Sequence, residues 1–335
     1  MEKKLLVNRK KGILLISILI IFLLLSIICS AFLGTVSLSF KGIIISEVER
    51  IIFVLRLKRI IQGAMIGGML SVAGVIFQAV LRNPLADPYI LGVSSGGGLG
   101  VVVAMVMGGT LVRCGVLYLP LSGFLGSLLS IFMVKRLAQV EGRLPPQNLL
   151  LSGVVVGVIL TNILIFIVWL FEDKLMRGVM GWLLGNLEVV DNSLLLTTAI
   201  IGIFGVTISF LFARELNAIS LGEEEAVSLG IEVEKIKRLL IYVASLITAT
   251  AVAVCGIVGF VGLIVPHIIR FFSGNEHRLL IPSSFLGGAI FIIISDTFAR
   301  TVFSPIEIPI GVITAFIGGL VFIYLLQKKK KVVFK

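Results

Sequence analysis

Charge is scarce in this chain: 14% of its 335 residues are Asp, Glu, Lys or Arg, where ordinary proteins carry about 25%. Cysteine, histidine and tryptophan are scarcer still, at three, two and two residues. Each shortage closes off a chemistry. Cys29, Cys114 and Cys255 are odd in number and far apart, so neither a disulfide framework nor a thiolate metal site is expected. Each lies in or beside an apolar run and reads as a small apolar residue. His267 and His277 have no Cys or second His at ligand spacing, which leaves them structural or solvated roles rather than a metal. The phosphate-cradling pattern G-x-x-x-x-G-K-[ST] occurs nowhere, so no nucleotide site is expected in this chain. A cluster of His, Cys or acids at membrane depth, which a polytopic membrane enzyme needs, is also missing.

What is present is apolar. Hydrophobic residues make up 58% of the chain, and nine stretches lack Asp, Glu, Lys and Arg altogether: 12–40, 60–81, 88–112, 114–134, 144–171, 192–213, 239–269, 279–295 and 308–327. About 20 apolar residues cross a bilayer as a helix, so an all-α, polytopic membrane protein follows. The first run is too long for a signal-peptide h-region and lacks a small-residue cleavage site. The seventh stretch is too long for one span at about 1.5 Å per residue, and Gly256, Gly259, Gly262 and Pro266 favour a break inside it. Charge decides the count. Nine spans would divide Lys and Arg 14 inside to 15 outside, whereas splitting the seventh stretch gives 20 to 9. The positive-inside rule selects the second arrangement: ten transmembrane helices with both termini cytoplasmic. The net charge of +11 then belongs to cytoplasmic loops rather than to a nucleic-acid surface. Acids are absent from the charge-free stretches, although Asp296 borders one. Proton-coupled carriers usually need such groups inside the membrane, so the energy for any pumping is expected from another chain.

Three segments interrupt the apolar pattern. In RNPLADPYILGVSSGGGLG (82–100), Asn83-Pro84 and Asp87-Pro88 push each preceding residue out of the helical region, so the second span stops near Arg82. Ser94, Ser95 and Gly96 to Gly98 suit either close helix packing or a polar path. The cytoplasmic segment 214–238 contains Ser220 and Glu223 at capping-box spacing, Glu223 to Glu225 in a first helical turn, and Gly230 as a stop. Leu221, Ala226 and Leu229 are available for burial, either against a cytoplasmic partner or within a solvated connector. The external segment 41–59 runs against the charge rule with Lys41, Arg50, Arg56, Lys58 and Arg59. These side chains either snorkel to headgroups or, at Arg56 and Arg59, offer guanidinium forks to carboxylates of another protein. Arg300, at the outer end of the ninth span, is placed to join them, with Asp296 four residues earlier as its simplest partner.

Taken together, LRLKR (55–59), GGMLSVAGVIFQAVLRNPLADPYILGVSSGGGLG (67–100), GWLLGNL (181–187), LGEEEAVSLGI (221–231), GIVGFVGLIVPHIIR (256–270) and the set Asp296, Arg300, Glu307, Pro309, Gly311 resemble one family. It is the FecCD-type permease subunit of ABC importers for iron-siderophores, haem and cobalamin. The resemblance covers nearly the whole chain in order. It implies a single permease domain over 1–335 that works as a homodimer in a bacterial plasma membrane. Two cytoplasmic ATP-binding subunits, which bind the ATP and magnesium, and an external substrate-binding protein would complete the machine. The chain itself would bind no cofactor and catalyse nothing. The segment matching Leu216 to Lys237 would carry the coupling helices, with Leu221, Gly222, Glu223, Ala226, Leu229 and Gly230 at the ATPase. Arg56, Arg59 and Arg300 would hold acidic residues of the binding protein; Lys58 stands where the family commonly has Pro. Asn83, Pro84, Pro88, Gly96, Gly97, Trp182 and Pro266 would serve as hinge or pathway residues. An iron(III)-siderophore is the first choice of substrate, with haem or cobalamin, or an ATP-independent carrier, as alternatives. Mutation of Glu223 and Gly222 is expected to uncouple ATP hydrolysis from uptake.

Overall fold

The computed structural model describes residues 2–34, 36, 38–111, 118–171, 179–187 and 191–333. Cys114 and parts of the external segment 172–191 lie outside the described residues. Among the described residues the chain is helical throughout, without strands. The helices are α1 (Glu2–Phe32), α2 (Phe40–Ile45), α3 (Glu47–Val80), α4 (Val93–Leu111), α5 (Tyr118–Ala138), α6 (Pro146–Leu170) and α7 (Asn192–Leu211). After them come α8 (Ala213–Leu221), α9 (Glu223–Ser228), α10 (Val233–Cys255), α11 (Val261–Ser273), α12 (His277–Thr301) and α13 (Ile310–Val333). Seven of these are long and apolar enough to cross a bilayer, and Val93–Met107, Val261–Ser273 and Ile310–Tyr324 are shorter apolar helices.

The expected break in the seventh stretch is present. α10 ends at Cys255, α11 begins at Val261, and Gly256 sits between them at φ +72, a conformation that suits glycine. The second span departs from expectation at its other end. It starts at Glu47 rather than near residue 60, because Ser46 caps it by accepting the Glu49 N–H at 3.4 Å. The Ser-x-x-Glu pattern that produces this cap lies inside the basic segment, so Arg50, Arg56, Lys58 and Arg59 ride on a helix.

α3 is the centre of the molecule, buried along almost its whole length from Ile60 to Val80. Glycines let its neighbours approach. A Cβ on Gly67 would stand 2.2 Å from the Gly288 carbonyl oxygen of α12, and one on Gly74 would stand 1.8 Å from the Gly262 oxygen of α11. Such small-residue contacts are how helices associate where lipid offers no hydrophobic drive. Gln62, fully buried on α3, adds polar glue by donating to Thr198 Oγ1 of α7 at 3.0 Å. α1, α5, α6 and α7 sit at the periphery and present Leu, Ile, Val and Phe outward, as lipid-facing or partner-facing helices must.

Candidate functional site

α3 serves as a depth gauge, at about 1.5 Å per residue. In its N-terminal part, Arg56 donates to the Ala31 and Phe32 carbonyls at 3.2 and 3.3 Å and also reaches the Val36 carbonyl. One turn deeper, Arg59 grips Asp296 Oδ1 through Nε and Nη2 at 3.0 and 2.8 Å and Glu307 through Nη1 at 2.9 Å. Arg300 Nε lies 3.0 Å from the other Asp296 oxygen, and its Nη2 donates to Ser30 Oγ at 2.8 Å. The expected Asp296–Arg300 pair is therefore present, and Arg59 shares it. Arg59 and Arg300 thus meet two acids where α1, α3 and α12 converge, with Arg56 beside them on backbone carbonyls, and the three forks point into the chain rather than to solvent.

About 6 Å beyond Arg59 along α3, Gly63 meets Leu187, and here three chain interruptions are stitched together. Asn186 N–H donates to the Cys255 carbonyl at 2.8 Å, Gly311 N–H to Leu184 at 3.0 Å, and Ile310 N–H to Gly185 at 3.1 Å. Trp182, half-buried on a short helical stretch over 179–183, presents its carbonyl to Gly256, where a Cβ would stand only 1.9 Å away. Non-helical backbone at membrane depth must find its partners within the protein, and these bonds supply them.

The proline-rich turn closes the C-terminal end of α3. Asn83 Oδ1 accepts the Leu85 N–H at 3.0 Å and Asp87 Oδ1 the Tyr89 N–H at 2.9 Å; Pro84 is exposed, and buried Pro88 opens a 3-10 turn, Pro88–Leu91. Gln78 Nε2 ties this turn to α11 through the Gly262 and Leu263 carbonyls at 3.2 and 3.3 Å. Tyr89 OH lies 3.2 Å from both the carbonyl and the N–H of Val258. Pro266 is buried inside α11. Burial pushes the Asp87 carboxyl up to about 6, against the Tyr89 N–H bond, which acts the other way. An acid raised in the folded state weakens that state as pH climbs between its ordinary pKa near 4 and its folded value. Thermal stability should therefore fall from about pH 4 to pH 6, and Asp87→Asn should flatten that slope in pH-stepped unfolding scans.

Gly96 and Gly97 lie at the α4–α5 contact, against the Gly126 oxygen and Ser127. Next to them, α6 carries a polar notch. Thr161 Oγ1 donates to Ser95 Oγ of α4 at 2.9 Å, and a cavity of about 340 Å³ is lined by Tyr89, Ser95, Gly157, Thr161 and Asn162. Thr161 and Asn162 are exposed some 22 Å from the start of α6. Exposed polar side chains that deep face an aqueous path or another protein surface rather than lipid.

The segment 214–238 forms two short helices, α8 and α9, before α10 begins. Ser220 is no cap: it lies inside α8 and donates back to the Leu216 carbonyl at 2.7 Å. Gly222 breaks the helix, and Glu223 is taken by Lys237 Nζ at 2.8 Å. Gly230, at φ +79, ends α9 as expected, with Ile231 N–H returning to the Ala226 carbonyl at 3.1 Å. Ala226 is buried, whereas Leu221 and Leu229 are 72% and 69% exposed, leaving two large apolar side chains on a polar face. Beside them opens a cleft of about 780 Å³ lined by Glu223, Glu224, Val227, Ile231, Lys235 and Arg238 among others. α8 is also fastened to α12. Asn217 Oδ1 accepts the His277 N–H at 2.9 Å and stands 2.7 Å from His277 Nδ1, while its Nδ2 donates to Glu276 at 2.8 Å. Reading the sequence missed Gln78, Tyr89, Asn186 and Lys237 as contact-makers.

The model of the FecCD transport family matches residues 19–328. The chain is 40% identical over 280 residues to the cobalamin import system permease protein BtuC of Halobacterium salinarum, covering 84% of this chain and 74% of that one. It is 35% identical over 331 residues to the hemin transport system permease protein HmuU of Yersinia pestis, covering 95% and 96%. A solved chain described as a metal-chelate type ABC transporter in an inward-facing conformation superposes with a TM-score of 0.84 at 28% identity, over 95% of this chain and 99% of that one.

Proposed function

Because the chain belongs to the FecCD transport family of ABC importer permeases, we propose that it carries an iron(III)-siderophore complex from an external binding protein into the cytoplasm, driven by a separate ATPase. The observation that carries this reading is the pair of cytoplasmic helices α8 and α9, which leave Leu221 and Leu229 uncovered at the membrane surface. Apolar side chains held there on helices fastened to α12 and α10 suit a protein partner better than water. Leu221, Gly222, Glu223, Ala226, Leu229 and Gly230 form the coupling face toward two ATP-binding subunits, which hold the ATP and magnesium.

The seven long and three shorter apolar helices act as ten spans of one permease domain, with both termini cytoplasmic, in a bacterial plasma membrane. Two copies enclose the path, with the Ser95–Thr161–Asn162 notch facing it, and Trp182 with the stitched loops forms the outer gate. Asn83, Pro84 and Pro88 with Pro266 form the inner hinge, and Gly96 and Gly97 set the α4–α5 spacing behind the notch. Arg56, Arg59 and Arg300 receive the binding protein, whose carboxylates exchange with Asp296 and Glu307 for the arginine forks. Haem or cobalamin is the second reading, supported by the HmuU and BtuC relatives.

Mild-detergent purification of the tagged chain from its host, with mass spectrometry of its companions, tests the assignment. Recovery of a P-loop ATPase, together with ATP-dependent uptake of an iron(III)-siderophore by reconstituted vesicles, is the expected result. Uptake of haem or cobalamin in its place selects the second reading. Transport by the chain alone in vesicles without ATP overturns both and revives an ATP-independent carrier.

A further inference from the structure

Lys237 is the buried cation that the transport reading leaves without a role. It lies on α10, 1% exposed, with Nζ 2.8 Å from Glu223 Oε1 of α9 and 3.0 Å from Glu234 Oε1. Glu234 does not stop there: its Oε2 accepts the N–H of Leu144 at 3.1 Å. Leu144 is itself buried and stands two residues before α6 begins at Pro146. Arg238 fastens the same loop by donating to the Gly142 carbonyl at 2.7 Å. A continuous set of charge-assisted bonds therefore runs from α9 through Lys237 and Glu234 to the residues just ahead of α6, the helix that carries the polar notch.

Burying a charge is costly, and an apolar residue of similar volume often stabilises a fold as well or better. What a buried cation with two carboxylates adds is a single allowed geometry among the three segments it joins. We propose that Lys237 is the positioning residue that makes the start of α6 follow α9, so that a displacement of α9 reaches the path wall. This rests on the reading of α8 and α9 as the ATPase-facing helices.

The test uses the full assembly in vesicles, with its ATPase and binding protein. Lys237→Met is expected to retain the ATPase on purification and to keep basal ATP hydrolysis. Uptake per ATP hydrolysed should fall about tenfold, within the ~2- to 30-fold range that single residues impose on coupling. Lys237→Arg, which can hold both carboxylates, is expected to keep most of the wild-type ratio. A spin-label pair at Val227→Cys and Gln147→Cys, both exposed, supplies a readout that a merely structural role would not move. Its separation should stay fixed through the ATP cycle in an otherwise wild-type chain and drift in the Lys237→Met background. If Lys237→Met fails to fold, Glu234→Gln is the substitute, because it keeps the Glu223–Lys237 pair and weakens the Lys237–Glu234 and Glu234–Leu144 links; a drop of about threefold is expected. An unchanged uptake-to-ATP ratio in a folded variant, or a label separation that ignores the substitution, overturns the relay while leaving the importer reading intact. Failure of the wild-type chain to bring down any ATPase overturns both.

Discussion

Gly74→Val should leave no folded protein to purify. The crossing of α3 and α11 at this point is backbone against backbone: a Cβ on Gly74 would stand 1.8 Å from the Gly262 oxygen, 2.5 Å from its carbonyl carbon and 2.7 Å from its Cα. None of these atoms can swing aside as a side-chain tip would. Accommodating valine requires the two helices to part, which would also break the Gln78 bonds to the Gly262 and Leu263 carbonyls one turn further on. Overpacking usually costs about 1–3 kcal/mol, but here buried polar bonds are lost with it, so a cost above about 4 kcal/mol is expected. Gly319→Val on α13 is the matched control, since a Cβ there meets nothing within 4 Å. Size-exclusion profiles of the two variants in the same detergent decide the matter: a monodisperse peak and wild-type melting temperature for Gly74→Val would mean the helices do not cross this closely.

Asp296→Ala is the second large effect. Asp296 is 4% exposed and holds two arginines at once. Removing it leaves Arg59 with Glu307 alone and Arg300 with only Ser30 and carbonyl contacts. Deleting one partner of a buried ion pair costs about 3–5 kcal/mol, because the remaining charge stays desolvated and uncompensated. Replacing the pair by apolar residues of similar size is often neutral. Asp296→Leu with Arg300→Met should therefore recover most of the lost melting temperature. Uptake separates the two roles of this cluster. If Arg300 only stabilises the fold, the repacked double variant transports normally; if it also receives the binding protein, transport stays low in a stable chain.

Much of this architecture can be read from the sequence because the bilayer imposes a coarse rule. A helix at membrane depth cannot leave charges unpaired, so charge-free stretches outline the helices, and the Gly256–Phe260 break follows from length, glycine and charge parity. The same rule misleads at α3, whose N-terminal turns carry Arg56 and Arg59 in a helix because carbonyls and acids from elsewhere neutralise them. Arg59 and Glu307 are 248 residues apart, and no local pattern announces such a pair, whereas Asp296 and Arg300, one helical turn apart, were legible. Lys237 hid in the charged run EVEKIKR, yet Val233, Lys237, Leu240 and Ala244 share one buried stripe of α10. A cation on the apolar stripe was the available signal. The supposed cap at Ser220 failed because α8 already enclosed that residue, with its hydroxyl committed to the turn behind it.

α12 has both ends bolted down. Its first residue is locked to Asn217 of α8 at one end, and Asp296 and Arg300 near its last turn are locked to Arg59 and Ser30 at the other. The whole helix is 25 residues long, about 37 Å, with Gly288 running against Gly67 like a bearing. A strut pinned at both ends cannot be pushed at one without loading the other. Its compliance is confined to the neighbourhood of Pro282, one and a half turns from the Asn217 pin, where the helix lacks a backbone donor. A displacement at the Asp296–Arg300 end is expected to reach the Asn217 end along this one helix, with Pro282 as the point where it can bend.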